Sequence, residues 1–517
     1  MQHSTIPFCN LKSHIVSAII CLVLVCAFQT ELVAQRGNIW CFGDSSGINF
    51  NSIPPTTLIS SVKSRGSCSS ISNSLGQLLF YYCYDPNSIL TGQNPYNNGG
   101  IYSKDHQIMQ NGDTIITGAW YSEGVIIPNP NAFNEYYLFT IGVTGNYGLY
   151  YSTIDIDQNN GLGAVTQKNI QLNSMKADDG LTAVKHGNGR DWWVFFRKAS
   201  LSTSASNTFY KYLITPSGIT GPDTQSIGAL TYINSYRYFF SNDGSKLGCV
   251  GYRGLIETYD FNRCTGILSN NRTIRQDLLT GQLPGGWSGE FSNDKSKLYV
   301  SDHGIDSYLL QFNLLDSFPL STVDTIAHLN YPQYTGGMLK LAPDNKIYWS
   351  CAWINGSSFS YPYADTSYNV YNTYLSVINK PDSLGGSCDF QPYSFYLGGG
   401  RTYVGLPNNP NYDLGPLAGS ICDTLSVGLN EIPVYKNNLA VYYDAGWQMA
   451  FVNAKGLKGK NAVLKLFNLN GQLITSLKGN SSGEYFTADV NMQGLTNGMY
   501  IFQLSTDREV LTGKVIK

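Results

Sequence analysis

The stretches YFFSNDGSKLGCVGY (238–252) and GEFSNDKSKLYVSD (289–302) share one pattern: an apolar strand, a turn of Ser, Asn, Asp and Gly or Lys, then a second apolar strand. Turn formers between two such runs read as a hairpin. The pattern recurs at SSISNSLGQLLFYY (69–82), VIIPNPNAFNEYYLFTI (125–141), TAVKHGNGRDWWVFFRK (182–198) and MLKLAPDNKIYWSCA (338–352). Its six turns centre near Gly76, Asn134, Gly189, Gly244, Lys295 and Asn345, at successive spacings of 58, 55, 55, 51 and 50 residues. A repeat of about 50 residues is the length of a four-stranded propeller blade.

A second strand pair follows several of these hairpins: YGLYYSTIDIDQNNGLG (147–163), TFYKYLITPSGIT (208–220), LIETYDFNRCTGILS (255–269) and SYLLQFNLLDSFPLS (307–321). These supply the outer half of a blade. The remaining strands, NIWCFG (38–43) and FYLGGGRTYVGLP (395–407), are expected to combine in a composite seventh sheet. Such a closure removes exposed sheet edges. The reading is an all-β chain: a propeller of about seven blades over 36–416, a linker over 417–432 and a small sandwich over 433–517.

Composition agrees with an extracellular all-β protein. Only 13% of the 517 residues are charged, while Gly (53) and Tyr (37) are abundant. That charge fraction is about half the usual share. The net charge of −2 comes with no basic stripe, which argues against nucleic acid as a partner. Lys12 and His14 precede an apolar run, IVSAIICLVLVCAF (15–28), and a polar QTELVAQ. This is the layout of a signal peptide over 1–35, with the cut after Gln35. The run is short for a membrane span, which needs roughly 20 residues, so no transmembrane segment is expected in the mature chain.

Eleven cysteines are present, and eight lie beyond the signal peptide. An even number in an exported chain suggests disulfides. Sequence spacing suggests Cys68 with Cys83, Cys249 with Cys264, Cys351 with Cys388, and Cys41 with Cys422, with free buried thiols as the alternative for each pair. Without a C-x-x-C, and with six His in the whole chain, a zinc site is not expected.

From Leu425 the composition changes. LAVYYD (439–444), WQMAFVN (447–453), VLKLFNLNGQLITSL (463–477), GEYFTADV (483–490) and GMYIFQLSTDREVLTGKVIK (498–517) alternate like half-buried strands. Asn470-Gly471 marks a tight hairpin. A seven-stranded Ig-like sandwich of roughly 90 residues is expected.

Two resemblances follow. LFNLNGQLI around Gly471, the L-x-x-G-x-Y element (Leu495, Gly498, Tyr500) and the terminal Lys514 and Lys517 make the tail resemble the type A C-terminal sorting domain of type IX secretion. The Pro-Asn-Pro element that usually opens such domains is replaced here by VYKNNLAVYYD. The resemblance implies recognition by the type IX secretion machinery and cleavage of the tail, with the cargo surface-attached or released. NIWCFGDSSGINFNS, DHQIMQNGD, GVIIPNP, LTAVKHGNGRDWWV, FSNDGSKL, YDFNRCTG and LAPDNKIY resemble the WD40-like propeller region of large surface proteins in gliding bacteria. That resemblance implies the fold and no activity.

Candidate chemistry is sparse. His186 with Arg190 and Asp191 forms a tight turn, and His303 in SDHGIDS is similar. Asp155, Asp157 and Asn159 open like a calcium loop, but Asn160 and Thr166 stand where Gly and a carboxylate are required. Gly398–Gly400 with Arg401 reads as a bulge or close packing. Trp120, Trp192, Trp193, Trp287 and Trp353 read as blade packing before a sugar-stacking platform. No G-x-S-x-G occurs. The expectation is therefore no catalytic residue, cofactor or metal, and a secreted or surface-attached propeller that binds a glycan or surface-protein ligand. An extracellular polysaccharide hydrolase or lyase would instead need two or more carboxylates in the central channel, and a structural stalk would need no concave face.

Overall fold

The six expected turn centres share one backbone property: all have positive φ, from +60° at Asn345 to +77° at Gly189. Only a left-handed residue closes these short hairpins, and Gly and Asn adopt that conformation most readily. Lys295, at φ 62°, is the exception in residue type. Its ammonium pairs with Asp243 in the preceding hairpin turn, so an inter-sheet ion pair accompanies the unfavourable backbone.

The computed structural model describes residues 35–84, 98–118, 120, 122–143, 147–199, 205–231, 235–276, 285–303, 307–329, 334–353, 367–423, 439–444, 448–455, 457, 461–469, 471–478, 480–482 and 485–517. The signal-peptide segment 1–34, most of the expected linker and Asn470 lie outside them. The chain divides into two compact units, 1–422 and 423–517.

The described part of the first unit forms seven successive antiparallel sheets. Sheet 1 covers 39–63 and sheet 2 covers 68–103, with three strands each. Sheets 3 to 7 cover 124–173, 177–231, 236–275, 285–329 and 334–396, with four strands each. Every hairpin predicted from the repeat supplies the first two strands of its sheet. In the sheets other than sheet 2, burial falls from the first strand to the last. Tyr236–Phe240 is almost wholly buried, while Gly218–Thr231 and Phe390–Tyr396 are largely exposed. The first strand of each sheet packs on the first strand of the next. This radial succession is propeller-like.

The ends meet differently from the composite-sheet expectation. Residues 39–63 form a sheet of their own, and the last strand of sheet 7 ends at Tyr396. Between them, Asp44 and Arg401 form a single backbone bridge and a buried ion pair. Aromatic packing closes the seam: Trp40 and Phe50 of the first segment meet Tyr348 edge-on at 5.9 and 5.6 Å. The Gly-rich turn permits this approach, since a Cβ on Gly400 would fall 2.8 Å from the Ser46 Cα.

The second unit has eight strands among its described residues, one more than expected, because Asn480–Ser482 adds a short edge. Two four-stranded sheets enclose a core that includes Val452, Leu464, Phe486 and Phe502.

Two predictions follow from this packing. Gly244 has φ +71°, and a Cβ there would lie 2.8 Å from Val184 Cγ2. Gly244→Ala should lower the unfolding free energy by about 1–2 kcal/mol in denaturant titration. Asp178 is fully buried between sheets 4 and 5, where it accepts the Tyr238 hydroxyl at 2.5 Å. Burial raises its carboxyl well above the ordinary range, reinforced by Asp179 and opposed by Tyr238, Arg197 and the Gly180 N–H. A raised carboxyl favours the fold below its unfolded pKa of about 4, and that stability is lost as pH rises through the folded value. The stability difference, wild type minus Asp178→Asn, should therefore fall between pH 4.5 and 8. Denaturation midpoints of the two proteins across that range measure it, and a flat difference contradicts the assignment.

Candidate functional site

Beyond Arg401 the chain reads TYVGLPNNPNYDLGPLAGSIC (402–422). Pro407, Pro410 and Pro416 disfavour helix and bias the residues before them to extended backbone. The segment passes along the first strands of the sheets and bonds to them. Its Val404 carbonyl accepts the Met338 N–H of sheet 7 at 2.7 Å. The Asn408 N–H donates to the Cys68 carbonyl of sheet 2 at 2.8 Å. The Asn408 amide donates to the carbonyls of Gly124 in sheet 3 and Leu181 in sheet 4, at 3.0 and 2.8 Å. Asn411 reaches the Asn242 carbonyl at the end of sheet 5. Asp413 pairs with Arg36 at 2.9 Å.

The end of this segment is clasped by the turn that carries the best His/Asp/Arg cluster. Leu417 N–H donates to the Gly187 carbonyl, and the Arg263 guanidinium bridges the carbonyls of His186 and Gly415. His186 Nδ1 accepts the Asn188 N–H, which leaves Nε2–H to donate to the Cys264 carbonyl at 2.9 Å. Asp191 takes Asn188 and Arg190. Both imidazole nitrogens and the carboxylate are engaged in holding the turn, so the cluster is a clasp in this structure. The side chain of His303 lies outside the described set. Asp155 accepts the Asp157 N–H within its own turn. Trp192, Trp193 and Trp287 are buried, whereas Trp120 is exposed beneath the Arg65 guanidinium.

The cysteines correct the expected pairing. The disulfide joins Cys264 to Cys422, with α-carbons 5.5 Å apart, within bridging range. A Cβ on Gly187 would lie 2.4 Å from the Cys422 sulfur, so this turn needs glycine where the bond passes over it. Cys249 cannot reach Cys264: it points into the core on the second strand of sheet 5, while Cys264 lies on the turn after the third. Cys41 is likewise inside the core, not at a surface seam. Cys68 and Cys83 face each other in register without a bond between them, and Cys351 and Cys388 share a core unbonded. Burial raises the thiols of Cys41, Cys68 and Cys351, so they behave as small apolar side chains.

Where the segment leaves space, a cavity of about 330 Å³ remains, walled by first strands and by residues 408–414. Three charged residues from otherwise apolar strands reach it: Arg237, Glu290 and Lys340. Glu290 and Lys340 occupy the same position relative to their turns, and Arg237 lies two residues earlier, on the same face of its strand. Lys340 donates to the Asn409 carbonyl at 2.9 Å, with its ammonium 5.8 Å from the Trp40 ring centroid. Loss of hydration lowers Lys340 to about 8, with Glu290 opposing and Arg237 reinforcing the shift. Burial raises Glu290 against the pull of both cations. No sequence motif pointed to this trio. Its one signal is a charge inside each of YRYFF, GEF and LKL.

In the second unit, most of the expected sorting residues come together at one end of a sheet. Gly498 and Lys517 exchange backbone hydrogen bonds at 2.9 and 3.2 Å. The Lys517 ammonium caps the carbonyls of Met492 and Leu495, both at 2.7 Å. Tyr500 is buried and donates to the Thr496 carbonyl at 2.6 Å. Gly471, at φ +76°, closes the adjoining hairpin, whose Asn468 pairs with Tyr500. Lys514 is exposed one pair further along, opposite Ile501.

Residues 449–517 match the family model described as the secretion system C-terminal sorting domain. This tail is a type IX sorting domain, and a chain that carries it is a secreted or cell-surface protein that engages the type IX machinery. Among the described residues no helix is long and apolar enough to cross a membrane. A search of curated proteins found no match. Solved structures similar to the chain include the β-propeller domain of Myceliophteria thermophila Cps50 (Swd1), at 10% identity and TM-score 0.37, covering 61% of this chain and 91% of that one. The Dos1 propeller aligns at 11% identity and TM-score 0.36, covering 67% and 90%. A luciferin-regenerating enzyme aligns at 11% identity and TM-score 0.31, covering 66% and 90%.

The Cys264–Cys422 bond closes a long loop and fastens the axial segment. Replacing both cysteines by serine should lower stability by about 2–4 kcal/mol. Denaturant titration of the double variant beside the oxidised wild type measures this.

Proposed function

We propose that the seven sheets are the blades of a closed propeller and that this body is an extracellular binding module without catalytic activity. In this reading the signal peptide is removed after Gln35. The tail, an Ig-like sandwich, delivers the body through the type IX system and is then cleaved. The observation that carries the binding reading is the axial cavity. Its wall holds two carboxylates, and one of them, Asp413, is already paired with Arg36. That leaves Glu290 without the second carboxylate that acid–base glycoside cleavage requires. With Asp413 neutralised by Arg36, Arg237 and Lys340 stand against Glu290, and Trp40 makes the wall partly aromatic. The concave site also weighs against a stalk whose only role is spacing.

Mass spectrometry of the protein from cell surface and medium tests the delivery half, in a host with an intact type IX system and in one without it. The mature form is expected to begin near Arg36 and end before about Gly428. In the deficient host the chain should accumulate in the periplasm with its tail attached. Surface export with an intact tail in both hosts would overturn the reading and make the second unit a candidate binding domain.

A further inference from the structure

We propose that the axial cavity binds a small organic anion through its carboxylate, received by Arg237 and Lys340. Arg237 is 2% exposed and lines the cavity, and neither its Nε nor its Nη1 has a hydrogen-bond partner. A guanidinium carries five donors in a planar fork that matches a carboxylate. Leaving such donors unmade in a buried place is costly.

Several other buried arginines meet that demand. Arg275 is matched by Asp302 at 2.8 Å and donates to the Gly254 carbonyl. Arg401 is matched by Asp44, and Arg263 is met by three carbonyls. Arg197 also has unmet donors, but it spans two carbonyls and lies among the tyrosines packed between sheets 4 and 5, away from the cavity wall. Among the described residues, Arg237 is the buried arginine with unmet donors that also lines the cavity.

Neither carboxylate of the same wall satisfies it, since Asp413 pairs with Arg36. Glu290 accepts the N–H group of Phe291 at 3.1 Å. Lys340 brings a second positive charge to the same wall, anchored by Asn409. A volume of about 330 Å³ accommodates a compact organic acid with its hydration, at the lower end of the range for ligand pockets. Glu290 would repel such a ligand, and that repulsion gives the proposal a test with two opposite signs.

The proposal rests on the body being a binding module. It is tested by isothermal titration of the full mature chain with sodium D-glucuronate and sodium acetate as carboxylate probes. D-Glucose serves as the neutral counterpart and inorganic phosphate as the competing anion. One equivalent of a carboxylate probe should bind the wild type. Arg237→Gln should weaken that binding at least tenfold, and Glu290→Gln should tighten it several-fold. Thermal melts confirm that each variant is folded. Should Arg237→Gln not fold, Glu290→Gln decides: tighter binding supports the proposal, and unchanged or weaker binding overturns it. Absence of saturable carboxylate binding, or phosphate binding alone, also overturns it. Glucose binding that Arg237→Gln leaves unchanged would overturn the anion assignment while leaving the binding-module reading intact.

Discussion

Every sheet of a radial β-protein has an innermost strand, and one edge of that strand is paired by no neighbour within its own sheet. Those backbone groups are buried, so they must find partners. In this protein the extended segment after Arg401 supplies many of them. One side chain, the Asn408 amide, links carbonyls of two sheets while its own N–H serves a third. The arrangement of the first unit depends on this satisfaction of inner edges. It explains why the segment is rich in Asn, whose amide can donate and accept at once, and in Pro, which holds it extended without presenting an N–H of its own.

The same constraint shapes the candidate site. A segment laid along the first strands leaves a residual volume beside it, and that volume is walled by strands whose side chains are otherwise apolar. Charge placed there has few competitors, so each charged side chain is felt by the others. Lys340 and Glu290 are shifted towards their neutral forms by burial, and each is pulled back by the other. The site is therefore an electrostatic unit built from three sheets that are consecutive in sequence and converge only because their first strands do.

Much of the fold was legible in the sequence, because turn chemistry is local. A hairpin that needs a left-handed residue must place Gly, Asn or a tolerated substitute at one position, and that requirement repeats at Gly76, Asn134, Gly189, Gly244, Lys295 and Asn345. The tail was legible for a similar reason, since Leu495, Gly498, Tyr500 and Lys517 close on one another over short distances. The disulfide was not. Spacing favours cysteines on one hairpin, but strand alternation turned Cys249 inward, and Cys264 met a partner 158 residues away. The axial segment was misread as a strand for the same reason: its partners are the inner edges of many sheets, and no local pattern encodes a partner that exists only after those sheets assemble. Arg237, lodged in YRYFF, carried a signal too brief to separate from an ordinary surface arginine.

The clasp at the end of the first unit also runs against the order of the chain. Cys264 belongs to the fifth sheet, while its partner lies beyond the last one, 158 residues further on. The sixth and seventh sheets are therefore held inside one covalent loop. A single backbone cut within that loop would leave the two pieces of the chain tied together.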